Sequence, residues 1–162
     1  TYRFENAFEI DYPTNNVTED SDCYGMCEFG KTVRRLKIND KTFNADNKNN
    51  FNGADLTISA SSSPAQGACS SFSDISYILP PQIRSTTING MVFSTVTTSD
   101  AGMSHYYDIH IYRTLVRGTC FEIIANVGTA NAEAYEPPRQ KFDIKKAFNL
   151  LEGIMSTLHF IK

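Results

Sequence analysis

Apolar and polar residues alternate with a period of two in several short segments of this chain, and switch to a period near 3.6 close to the C-terminus. Phe8 to Pro13 reads Phe-Glu-Ile-Asp-Tyr-Pro, which predicts a half-buried strand stopped by proline. Residues 14–30 are polar and contain glycine, and are expected to be a loop. Thr32 to Ile38 predicts a second strand. Residues 39–52, rich in Asn, Asp and Lys, read as an exposed loop. Asp55 to Ala60 alternates cleanly and predicts a third strand. Ser61 to Ser73 is small and polar, with room for one helical turn around 65–71.

From residue 84 the strand signal strengthens. Arg84 to Ile88 and Met91 to Thr97 flank Asn89-Gly90, a pair that tolerates the positive φ of a type I′ hairpin turn. A break is expected at Ser99 to Ser104. His105 to Leu115 and Thr119 to Val127 then flank Arg117-Gly118. A two-residue turn there would set Arg113 opposite Glu122, Ile111 opposite Ile124 and Tyr112 opposite Ile123. Opposite charges and matched apolar residues both favour that register. Tyr107, Ile109, Ile111 and Leu115 would share one face, and Tyr112, Phe121 and Ile123 the other. A sheet apolar on both faces needs a cover on each.

One cover is visible. Asp143 is placed to cap a helix running to Ser156 or Thr157, with Ile144, Ala147, Phe148, Leu151, Ile154, Met155 and Leu158 as a single apolar stripe. His159-Phe160-Ile161 reads as a short closing strand.

The chain has 162 residues, so one domain spanning 1–162 is expected. A net charge of −3 offers no basic field for nucleic acid. No apolar run reaches the roughly 20 residues that cross a bilayer as a helix. The start at Thr1 fits a processed protein, with a leader or tether removed, or a trimmed chain. Cysteines stand at 23, 27, 69 and 120. Their even number, and the abundance of Asn, Ser and Thr, point to an oxidising compartment. Of three possible pairings, a local Cys23–Cys27 bridge is favoured because Gly25 lets the chain curl back, which leaves Cys69 for Cys120. Free buried thiols are the next reading. A zinc site is weaker, because zinc modules use two tight pairs and only one loose pair is present.

Chemistry-bearing motifs are sparse. There is no phosphate-binding glycine loop, nucleophile elbow or His-Glu-x-x-His, and nothing calls for a metal or cofactor. The best cluster is Asp108, His110 and Tyr112, which share one strand face and form a candidate ligand face. A carboxylate beside an imidazole can tune a base or a ligand, although alternating polar residues on a strand are more often a solvated face. Tyr106, Tyr107 and Tyr112 offer rings with polar tips for binding.

Several C-terminal residues carry a family resemblance. Tyr112-Arg113-Thr114, the tight turn, Cys120-Phe121-Glu122-Ile123, the polar Thr129 to Glu136 segment, Pro137-Pro138 and the stretch from Asp143 to Phe160 resemble PsbP-like bacterial extracytoplasmic proteins. Phe8 to Pro13 is similar to the first strand of that group, without the Trp that often follows. The resemblance implies an α+β fold, an α/β/α sandwich whose central antiparallel sheet is covered by helices on both faces. It implies a secreted or membrane-tethered domain, and carries over no functional residue. The expected role is a non-enzymatic binding or accessory domain for an unidentified protein or envelope component. The alternatives are a helix-grip carrier of a small hydrophobic ligand, and a hydrolase with a site assembled from distant loops.

Overall fold

The computed structural model describes residues 1–4, 7–20, 31–61, 68–72, 75 and 82–161. Three short strands, β1 (Tyr2–Phe4), β2 (Phe8–Ile10) and the C-terminal β10 (His159–Phe160), make a small antiparallel sheet in the order β1-β2-β10. The main sheet has seven strands: β3 (Val17–Asp20), β4 (Lys31–Ile38), β5 (Phe51–Ser61), β6 (Arg84–Ile88), β7 (Met91–Gly102), β8 (His105–Val116) and β9 (Thr119–Ala130). Their order is β3-β4-β5-β9-β8-β7-β6, and every neighbouring pair is antiparallel.

Local chemistry explains the second half of this sheet. Asn89-Gly90, Met103-Ser104 and Arg117-Gly118 turn the chain, and all but Gly90 and Gly118 take positive φ without being glycine. Positive φ at both turn residues is the type I′ geometry that suits twisted hairpins. The third turn sets the register the sequence predicts: Arg113 faces Glu122, Ile111 faces Ile124 and Tyr112 faces Ile123. The break expected at Ser99 to Ser104 is absent. β7 runs unbroken to Gly102, because two residues suffice to reverse the chain. β3 is likewise a strand where a loop was expected; Val17 alone gives too short an apolar signal.

The main helix, α3 (Ile144–Met155), lies across one face of the sheet. Asp143 caps it by accepting the Lys145 N–H at 3.1 Å. Ala147, Phe148, Leu151, Ile154 and Met155 are buried against Leu36, Leu56, Ile58, Phe93 and Ile123. That stripe matches the 3.6-residue pattern of the sequence, and burial of such side chains contributes about 1.5–3 kcal/mol each. The segment entering α3 is fastened to β5 and β9: buried Asn50 donates from Nδ2 to the Ala130 carbonyl and accepts at Oδ1 from the Phe142 N–H, both at 2.6 Å.

Helices do not cover both faces, and the chain is mostly β. The other α-helices described are α1 (Lys41–Asn44) and α2 (Ala68–Ser71), each four residues long, beside a single 3-10 turn at Ala132–Ala134. On the face opposite α3, Phe72 sits on a small apolar cluster of Val96, Ile109, Ile111 and Ile124. The rest of that face is polar, with Arg35, Asp55, Thr57, Ser59, Arg113 and Glu122 buried among one another. Among the described residues, the Phe72 ring beside α2 covers this limited apolar area together with Ile75 and Tyr107, and paired charges need no helix above them. The α/β/α sandwich is therefore replaced by a mostly β fold with one long helix on one side. Cys69 and Cys120 form a disulfide with Cα atoms 5.7 Å apart, which pins α2 to β9. Cys23 and Cys27, and the bridge favoured between them, lie outside the described residues.

Candidate functional site

Asp108, His110 and Tyr112 lie on β8, on the face that α3 covers, since His110 pairs with Ala125 and Tyr112 with Ile123. The helix adds two residues to them. The Phe148 ring stacks on His110 with centroids 3.9 Å apart and planes 11° apart. The Tyr112 hydroxyl donates to Glu152 Oε1 at 3.4 Å and lies 3.5 Å from His110 Nδ1. His110 Nδ1 is itself 3.7 Å from Glu152 Oε1. Burial lowers the His110 pKa below its ordinary 6.5, against the opposing pull of Glu152 and Asp108. Burial, and then the Glu152 charge, push the Tyr112 hydroxyl above its usual range. His110 is thus held as a neutral ring in a packed stack.

A nucleophile and a base within hydrogen-bond reach would be needed for hydrolysis. Among the described residues the groups around His110 are Tyr112, Glu152 and Phe148, with no serine or threonine hydroxyl bonded to it. Nor do three or more His, Cys, Asp or Glu gather there as a metal site among the described residues. The interface between α3 and the sheet is filled by side chains, whereas a helix-grip carrier encloses its ligand at that position.

The larger polar arrangement lies on the opposite face, where the sequence reading placed no site. A groove of about 610 Å³ opens above β4, β5, β9 and β8, between Arg35, Asp55, Asn126, Tyr107 and Asp100. Its floor is one connected network. Arg35 donates to Asp55 Oδ2 at 3.1 Å, Thr57 donates to Asp55 Oδ1 at 3.3 Å, and Asn126 Nδ2 donates to Asp55 Oδ2 at 3.4 Å. Asp55 and Asn126 are cross-strand partners, so the sheet itself sets their spacing. Pairing with a carboxylate fixes which end of the Asn126 amide is nitrogen. Its Oδ1 is then buried with no hydrogen-bond partner among the described residues.

The side wall follows from a glycine. Gly128 lies opposite Tyr107, and a Cβ at 128 would come 3.3 Å from that ring. The absent side chain lets the ring lie across β9, and its apolar face borders the groove beside Ile109 and Ile124. The result is a rigid polar floor with an aromatic and aliphatic flank.

No protein-family model and no curated protein matches the chain. Solved structures do. One is a protein of Bacteroides thetaiotaomicron, 17% identical, with a TM-score of 0.54 over 96% of this chain and 45% of that one. Another is LpqN of Mycobacterium tuberculosis, described as involved in cell envelope biogenesis. It is 10% identical, with a TM-score of 0.50 over 96% of this chain and 83% of LpqN. The likeness is one of fold. This chain spans less than half the length of the Bacteroides structure. None of these matches ties it to the PsbP-like family.

Proposed function

We propose that this chain is a binding domain working outside the cytoplasm, at or near the cell envelope, and that it holds a small polar ligand in the groove above Asp55 and Asn126. Two findings support the compartment: the Cys69–Cys120 disulfide, a bond that persists in oxidising surroundings, and the fold shared with an envelope-biogenesis protein. The buried, unpartnered Oδ1 of Asn126 carries the site. A buried acceptor left without a donor costs about 1–3 kcal/mol, so a folded chain keeps one where something else supplies the hydrogen bond. A ligand with a hydroxyl or N–H donor would supply it once a small turn of the Asn126 side chain brings Oδ1 to the groove, and the ligand's apolar side would rest on Tyr107. The domain acts by holding this ligand or presenting it to an envelope partner, not by turnover.

Asn126→Leu tests the reading. It removes the unsatisfied acceptor while roughly keeping the volume. It also removes the Nδ2 donor to Asp55, so the two changes oppose each other and unfolding in urea should show stability within about 2 kcal/mol of wild type. Ligand-detected NMR against neutral mono- and disaccharides and amino acids should show the wild-type hits lost. Hits that survive the substitution, or a wild type that gives none, would contradict the proposal.

A further inference from the structure

Among the described residues, the longest uncovered strand edge belongs to β7. β6 pairs with it only from Met91 to Thr95, whereas β8 pairs with it from Ser94 to Gly102. Past Arg84, which pairs with Thr95, no described strand continues along its outer side. The two-residue turn at Met103-Ser104 closes on the pair Gly102 and His105, which fixes the hydrogen-bond alternation. Asp100 and Thr98 then bond to β8, while Thr97, Ser99 and Ala101 turn their N–H and C=O groups outward. The N–H of Ala101 is taken by Asp100 Oδ1 at 2.8 Å. The two groups of Thr97 and the two of Ser99 have no backbone partner among the described residues, and both residues are exposed.

Sheet edges are normally blunted by lysine, proline, a bulge or shortness. The stretch Val96 to Gly102 carries one charge, Asp100, but neither lysine nor proline, and its pairing with β8 runs without a register shift. Beside it, on the α3 side, a second groove of about 630 Å³ runs from Thr97 and Ser99 across Asp108 to Phe148 and Glu152. Asp108 is half-buried there, and no direct hydrogen bond or ion pair reaches its carboxylate among the described residues. Glu152 adds a second carboxylate, against Lys145 alone as a cation in the lining.

We propose that this edge takes an extended segment of a partner protein as an eighth strand, with a lysine or arginine of that segment laid across Thr97 and Ser99 toward Asp108. Unpaired backbone groups at strand spacing match only another extended backbone, and the excess carboxylate selects a basic side chain. This interaction is separate from the groove above Asn126.

The probe is a blocked peptide of alternating lysine and valine, titrated into the whole chain while backbone amides are followed by NMR. Thr97, Ser99 and Ala101 should shift and saturate. Methylating alternate peptide nitrogens keeps the charge but removes the strand donors, and should weaken binding about tenfold. Ser99→Pro removes an N–H that bonds no described residue, and should cost a similar factor of about ten. Asp108→Asn should weaken binding about threefold. Absence of shifts at β7 would overturn the proposal, as would equal binding of the methylated peptide. A concentration-dependent dimer that Ser99→Pro dissolves would overturn it as well, by giving the edge to a second copy of this chain.

Discussion

Arg113 and Glu122 are each about 2% exposed, yet both are charged. Arg113 donates from Nε and Nη2 to Glu122 Oε2 at 2.7 and 2.6 Å, and the Phe72 ring lies 4.7 Å from the guanidinium carbon. Two desolvated charges tolerate burial while paired and become costly when separated. Glu122→Gln should therefore lose about 3–5 kcal/mol in chemical denaturation, whereas replacing both by methionine and leucine should come much closer to wild type. This pair was legible in the sequence, because a single turn dipeptide dictates it. The floor of the Asn126 groove was not. Arg35, Asp55 and Asn126 sit in strands the alternation finds, but their meeting depends on β4-β5-β9 pairing between segments far apart in the chain.

His110 supplies a second residue-scale prediction, with a definite sign. Its folded-state pKa lies below the ordinary 6.5, mainly through burial. The unfolded chain therefore binds more protons than the folded one between the folded pKa and 6.5. The stability that neutral His110 contributes is fully present above 6.5 and is lost as pH falls through that window. Urea unfolding of the wild type should weaken between about pH 7.5 and pH 5 more than that of His110→Phe, which keeps the stack on Phe148 and cannot titrate.

Among elements, the Asn89-Gly90 turn does more than reverse the chain. Asn89 Nδ2 donates to the carbonyls of Ser156 and Leu158 at 2.5 and 2.9 Å, and so latches the end of α3 to the β6–β7 hairpin. Asn89→Gly preserves the positive φ and removes only the latch. It should cost about 1–2 kcal/mol, read by thermal or urea unfolding, with earlier amide exchange at the end of α3. The sequence reveals the turn and the helix but not the latch, since an asparagine chosen for its backbone shows nothing of its side-chain partner. It also hides the length of β7: Ser, Asp and Gly depress strand propensity at 99–102, yet pairing with β8 overrides that local preference.

At the scale of the molecule, two faces of one sheet are served differently. The apolar positions predict a covered sheet, and α3 covers the face where those positions are continuous from β4 to β7. On the other face the sequence shows the same alternation with charged residues inserted, and the charges pair instead of attracting a second long helix. What holds α2 and Phe72 there is the Cys69–Cys120 bond, which spans 51 residues of sequence. Reducing it, or replacing both cysteines by alanine, should cost about 2–4 kcal/mol in denaturant unfolding.

The small polar ligand belongs to the groove on the face opposite α3, above Asp55 and Asn126. The most direct test is an NMR titration that follows the side-chain amide of Asn126 together with the backbone amides of Gly53, Tyr107 and Gly128, against neutral saccharides and amino acids in turn. At least one of these compounds should move all four signals together and saturably, while amides in α3 stay still. Shifts confined to α3, or none at these four positions with any compound, would contradict this assignment.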